Sequence, residues 1–189
     1  MAIFCDVAAD VCMRRPIISV GSYSFPATKQ RTCGYGNNCL GYALRSALLV
    51  TPQRLRSELT RHLELASPDE QHILATSVIE DCEQLRRSEL VERAVEELSA
   101  DCFIPADVFI HYVRANHRHS VVQKVNYVFL SELEEGDVYV PVFCHWEDRL
   151  RYPTHYIGCN RENTHYSTIL VEDGELLNEL LERQNHEDH

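Results

Sequence analysis

The chain separates its patterns along its length, and that separation limits the fold more than any other feature. Residues 40–115 carry helical periodicity and helix caps nearly throughout, whereas residues from about 119 to 171 are dominated by Val, Ile, Tyr and Phe runs of strand character. Helices first and strands later in one chain of 189 residues point to the α+β class, built as a single domain over 1–189.

Leu40, Ala43, Leu44, Ala47 and Leu48 recur at helical spacing, so a first helix begins near Cys39. Thr51-Pro52 supplies a cap and a first-turn proline for a second helix through about Leu65. Ser67-Pro68-Asp69-Glu70 is a capping-box start for a third, reaching about Leu85. A fourth covers roughly Ser88 to Leu98, and a fifth starts at Pro105 with Val108, Phe109 and Tyr112. Strands are expected across Val121–Phe129, Val138–Cys144, Tyr156–Cys159 and Tyr166–Val171, with Pro141 marking an edge or a bulge. Glu134–Asp137 is a turn, and Asp173-Gly174 closes the sheet. Leu176, Leu177, Leu180 and Leu181 mark a last helix, and Asn185–His189 reads as a frayed tail. Residues 13–38, punctuated by Pro16, Gly21, Pro26, Gly34 and Gly36, read as a loop-rich lead-in with one short strand-like Ile17–Val20.

The net charge of −11 argues against a nucleic-acid binder. The charge is uneven: residues 1–66 hold 8 Lys/Arg against 4 Asp/Glu, and the remainder holds 10 against 25. An acidic surface suits either a basic partner or plain solubility. The eight cysteines (5, 12, 33, 39, 82, 102, 144 and 159) form no Cys-x-x-Cys pair, which disfavours a zinc ribbon. Several sit in apolar runs, as thiols do in a reducing cytosol. Met1–Cys12 lacks a basic leading region and is broken by Asp6 and Asp10, so it makes a poor signal peptide. No apolar stretch approaches the roughly 18 residues a membrane span needs. The expected location is therefore cytoplasmic, with no membrane partner.

The chemistry concentrates at Cys39. A turn rich in glycine and asparagine, Gly34 to Asn38, runs straight into the first helix, with the cysteine at the junction. The first turn of a helix offers unpaired N–H groups and the positive end of the macrodipole, which favour thiolate and can hold an oxyanion. Gly36, Asn37 and Asn38 are the candidate oxyanion turn. Far downstream, His165 stands between the polar Asn160–Thr164 and a strand, where a base can be presented; His155, in the similar Thr154-His155-Tyr156, is the alternative base.

Gly36-Asn37-Asn38-Cys39-Leu40-Gly41 resembles the Asp-Gly-Asn-Cys-Leu-Phe box of ovarian-tumour (OTU) cysteine proteases. His165-Tyr166-Ser167-Thr168-Ile169, with Tyr156–Cys159 before it, resembles that family's closing strand–loop–strand around His-Tyr-Asn-Ser-Val. Pro105 to Val122 is similar to the helix that leads into its first central strand. The resemblance implies a papain-like OTU fold, with a helical lobe packed on a small central β-sheet and enlarged over about 52–100. It implies a thiol isopeptidase that needs no metal or cofactor and acts on ubiquitin or polyubiquitin chains. If the divergence marks a pathogen effector or viral protein, the site of action would be a host cytosol. Two departures stand out: Gly36 replaces the usual Asp three before the cysteine, and Ser167, the candidate orienter, replaces the usual Asn or Asp two after the histidine. They leave open another papain-like acyl transferase, such as a protease or deamidase, or a non-catalytic ubiquitin-binding module on the same fold. A zinc site from Cys144, His145, His155 and Cys159 is a distant further option.

Overall fold

In a computed structural model the chain is described over residues 15–32, 37–48, 51–100, 102–115, 125–133, 137–146, 148, 150–162 and 164–187. It divides into two compact units, one formed by residues 1–33 and 124–189 and the other by residues 34–123. Both helices and strands are present, as the α+β expectation requires.

The first unit contains β1 (Ile17–Val20), β2 (Tyr23–Arg31), β3 (Asn126–Glu132), β4 (Val138–His145), β5 (Thr154–Cys159) and β6 (Tyr166–Val171). These close into a six-stranded barrel in the order β1-β2-β6-β5-β3-β4. A closed barrel differs from the small central β-sheet that the resemblance implies. The closing step is a short parallel pairing of Ile17 and Ile18 with Val138 and Tyr139. The loop-rich reading of 13–38 is corrected: β1 and β2 form a hairpin. Gly21, at φ 58°, makes the two-residue turn that punctuation alone had suggested was loop. Pro26 is accommodated because the β2–β6 ladder begins only at Ala27, paired with Val171. Pro141 meets both expectations: the register to β3 shifts between Phe129 and Leu130, and the pairing of β4 with β1 covers Val138 and Tyr139, short of the proline.

Alternation along the strands sends Ile18, Val20, Phe25, Ala27, Val128, Leu130, Tyr139, Tyr156 and Ile169 into one apolar cluster. The final helix, α6 (Gly174–Glu187), adds Leu177 and Leu181 to it and docks on β5, where the Tyr156 hydroxyl donates to the Gly174 carbonyl and Asn178 Oδ1 at 3.0 and 2.7 Å. Asn185–Glu187 continue this helix rather than fraying from it. The opposite face of β3 is buried as well, at Tyr127 and Phe129.

The second unit contains α1 (Cys39–Leu48), α2 (Pro52–Leu65), α3 (Pro68–Val78), α4 (Arg87–Ser99) and α5 (Ala106–Ala115). The caps stand where expected: Thr51 accepts from the Arg54 N–H, and Ser67 with Glu70 closes a reciprocal capping box. Helix α3 is shorter than its apolar pattern implied. It stops at Val78, and Ile79 is buried in an extended conformation, so that side chain serves the core from outside the helix. A Cβ on Gly41 would lie 2.9 Å from Pro52 Cα, so this glycine allows α2 to start against the first turn of α1. No helix among the described residues is long and apolar enough to cross a membrane.

Candidate active site

Cys39 is the first residue of α1, as the sequence implied. Asn37 takes the left-handed conformation, φ 53°, and Asn38 then caps the helix, its carbonyl accepting from the Tyr42 N–H at 3.0 Å. An asparagine tolerates that left-handed turn better than most residues, which accounts for the Asn-Asn pair directly before the nucleophile candidate. Gly36, the third oxyanion candidate, lies outside the described residues. Cys39 itself is an unbridged thiol and only 2% exposed.

The residue that holds this turn was not singled out from the sequence. Arg56 of α2 is 4% exposed, and its guanidinium reaches three other segments. Its Nε donates to Asn38 Oδ1 at 2.6 Å and its Nη2 to the Asn37 carbonyl at 3.1 Å. Its Nη1 donates to the Leu98 carbonyl near the end of α4 at 3.1 Å, and Nη2 also reaches the Cys102 carbonyl at 2.7 Å. A cation at the carbonyl end of a helix is favourable, and bonds from a charged donor are stronger than neutral ones. A signal was present in the sequence. The buried stripe of α2 runs Pro52, Leu55, Arg56, Leu59, Leu63, so an arginine occupies a position where the periodicity calls for an apolar side chain.

The histidine candidates belong to the barrel unit. His165 sits immediately before β6, at the end of the β5–β6 connection. Asn160 closes that connection: its N–H donates to the His165 carbonyl at 2.9 Å, and its Oδ1 accepts from the N–H groups of Thr164 and His165, both at 2.8 Å. The Thr32 hydroxyl donates to the carbonyl of Tyr166, the next residue. Ser167 does not orient a ring. It shares the inward face of β6 with Ile169, is 1% exposed, and its hydroxyl has no hydrogen-bond partner among the described residues. His155 lies within β5, opposite Tyr127 of β3, and burial holds its imidazole below the ordinary value. Cys39 and the Asn turn therefore come from the helical unit, and His165, His155 and Ser167 from the barrel unit.

The zinc option is corrected. Cys144 and His145 are consecutive in β4, so their side chains point to opposite faces of the sheet. No group of three or more His, Cys, Asp or Glu among the described residues is arranged to hold a metal ion.

Compared with protein-family models, with curated proteins and with solved structures, the chain matches none.

Proposed function

We propose that the chain is a cysteine-type deubiquitinase on a divergent, papain-like OTU fold, hydrolysing ubiquitin or polyubiquitin isopeptide bonds. Cys39 is the nucleophile and His165 the base. The observation that carries this reading is the head of α1, where a thiol follows a left-handed turn immobilised by a buried guanidinium.

The Cys39 sulfur attacks the isopeptide carbonyl while its proton passes to His165. The tetrahedral oxyanion is held by N–H groups at the start of α1. As the carbon–nitrogen bond breaks, His165 returns the proton to the departing lysine amine. Water then attacks the thioester, His165 taking its proton, and the ubiquitin carboxylate leaves as the thiol is restored. The burial of Cys39 adds a requirement: substrate must open a path to the sulfur.

A ubiquitin probe with a C-terminal thiol-reactive group tests this directly. Wild type is expected to label and Cys39→Ala to lose all labelling. Wild type that neither labels nor cleaves any ubiquitin dimer would refute the enzyme reading. The same burial of Cys39 favours one alternative, a non-catalytic ubiquitin-binding module. Its signature is ubiquitin binding of equal strength in wild type and Cys39→Ala, with no turnover by either.

A further inference from the structure

We propose that Asn160 is the positioning residue for His165, replacing the amide or carboxylate that the OTU resemblance would put at position 167. The inference rests on the thiol-hydrolase reading, but its geometry can be tested without it.

A catalytic imidazole needs its Cα–Cβ direction fixed before any ring bond can set its tautomer or tilt. In most histidine dyads a third side chain acts on the ring. Here the residue at that position, Ser167, faces the barrel interior and donates to no described atom. The restraint from Asn160 acts on the main chain. Asn160 and His165 bracket a four-residue loop, and Asn160 binds the histidine from both sides of its Cα. The backbone N–H of Asn160 donates to the His165 carbonyl, and Asn160 Oδ1 accepts from the His165 N–H. The same Oδ1 also takes the Thr164 N–H, while the amide Nδ2 donates to Thr164 Oγ1 at 3.1 Å. Both lone pairs of Oδ1 are thereby used by consecutive peptides, which leaves the residue before β6 little rotational freedom. The far side of the loop is also tied. The Arg161 N–H donates to Glu132 Oε2 at 3.3 Å, and Glu132 Oε1 pairs with Lys29 Nζ at 3.4 Å. The loop is thus referenced to β3 and β2.

Two substitutions separate the parts of this restraint. Asn160→Ala removes the Oδ1 acceptor; Asn160→Asp keeps it and loses only the amide donor to Thr164 Oγ1. With a fluorogenic ubiquitin C-terminal substrate, Asn160→Ala is expected to lower kcat about ten- to hundredfold with KM nearly unchanged. Asn160→Asp should recover most of that loss. Amide hydrogen exchange, read by NMR on the full chain, should show the His165 and Thr164 N–H groups losing protection in Asn160→Ala and keeping it in Asn160→Asp. If wild type turns over no substrate, the hydrolase reading fails, and exchange together with the line width of the His165 ring resonances decides the positioning claim alone. Unchanged exchange at His165 in Asn160→Ala overturns the proposal, as does a kcat loss that Asn160→Asp does not relieve.

Discussion

In the helical unit the turn before Cys39 is held from far away in sequence, whereas in the barrel unit the loop before His165 is held mainly by the residue at its own start. Arg56 is 18 residues from Asn38, 42 from Leu98 and 46 from Cys102. Asn160 is only 4 and 5 residues from the Thr164 and His165 N–H groups it accepts. The first arrangement exists only once α1, α2 and α4 have packed; the second needs little more than the β5–β6 hairpin. The position of the thiol is therefore coupled to the folding of a whole lobe, and that of the imidazole to one local loop. Local openings of the helical unit should be felt at Cys39 well before anything is felt at His165.

Removing the long-range tie should produce the largest effect. Arg56→Leu strands the Asn38 side chain and the carbonyls of Asn37, Leu98 and Cys102 without their charged donor. Buried acceptors left unmade cost about 1–3 kcal/mol each and do not add fully, so a loss of about 3–5 kcal/mol is expected. Urea denaturation measures it. Hydrogen exchange should at the same time show faster opening in α1, α2 and α4, with barrel amides still protected. A loss under about 1 kcal/mol would mean the guanidinium is not what holds the turn.

The barrel's counterpart is a packing limit. A Cβ on Gly158 would sit 2.8 Å from Tyr139 Cε1 and 3.0 Å from Ile169, inside the apolar cluster. Gly158→Ala should therefore cost about 1–3 kcal/mol by overpacking. Barrel amides should lose protection first, the reverse of the Arg56 pattern. Equal loss in both units from either variant would show that they open as one.

This contrast also explains what could be read from the sequence. The caps at Thr51 and Ser67 and the start of α1 were legible because a few adjacent residues specify each of them. So was the site's local outline, a thiol leading a helix and a histidine leading a strand. Strand β2 was missed because Gly21 and Pro26 look like loop residues until the β6 partner is known. Barrel closure was missed because it depends on Ile17 meeting Val138, a pairing with no local trace. Arg56 left a trace, a charge inside an apolar stripe, but nothing local says which acceptors it serves. Ser167 was assigned by position relative to His165, and only the structure shows that its buried hydroxyl bonds to no described atom, the ring included.

Ser167→Ala turns that last point into a smaller and oppositely signed test. An unpartnered buried hydroxyl is a cost in the folded state, so its removal should leave stability unchanged or raise it by up to about 1 kcal/mol. Labelling by the ubiquitin probe should be unaffected. A large fall in labelling would restore Ser167 as an orienter and weaken the case for Asn160.

The smallest effect is a change of slope with pH, and it belongs to the helical unit. His62 Nε2 and His111 Nδ1 meet at 2.9 Å between α2 and α5, with Tyr112 edge-on to His62 and Glu70 of α3 at 3.7 Å from His111 Nε2. One hydrogen between the facing nitrogens satisfies both; full protonation of both rings would set two cations against one another. Burial first, and His111 second, hold the His62 imidazole below its ordinary value, with Glu70 pulling the other way. The unfolded chain therefore binds the proton more readily than the folded one. This contribution to stability is fully present above the unfolded imidazole value of about 6.5 and is lost as pH falls through the lower folded value. Denaturation midpoints taken downward from about pH 7.5 should fall less steeply in His62→Gln than in wild type. Identical slopes would mean that the pair meets without stabilising α2 against α5.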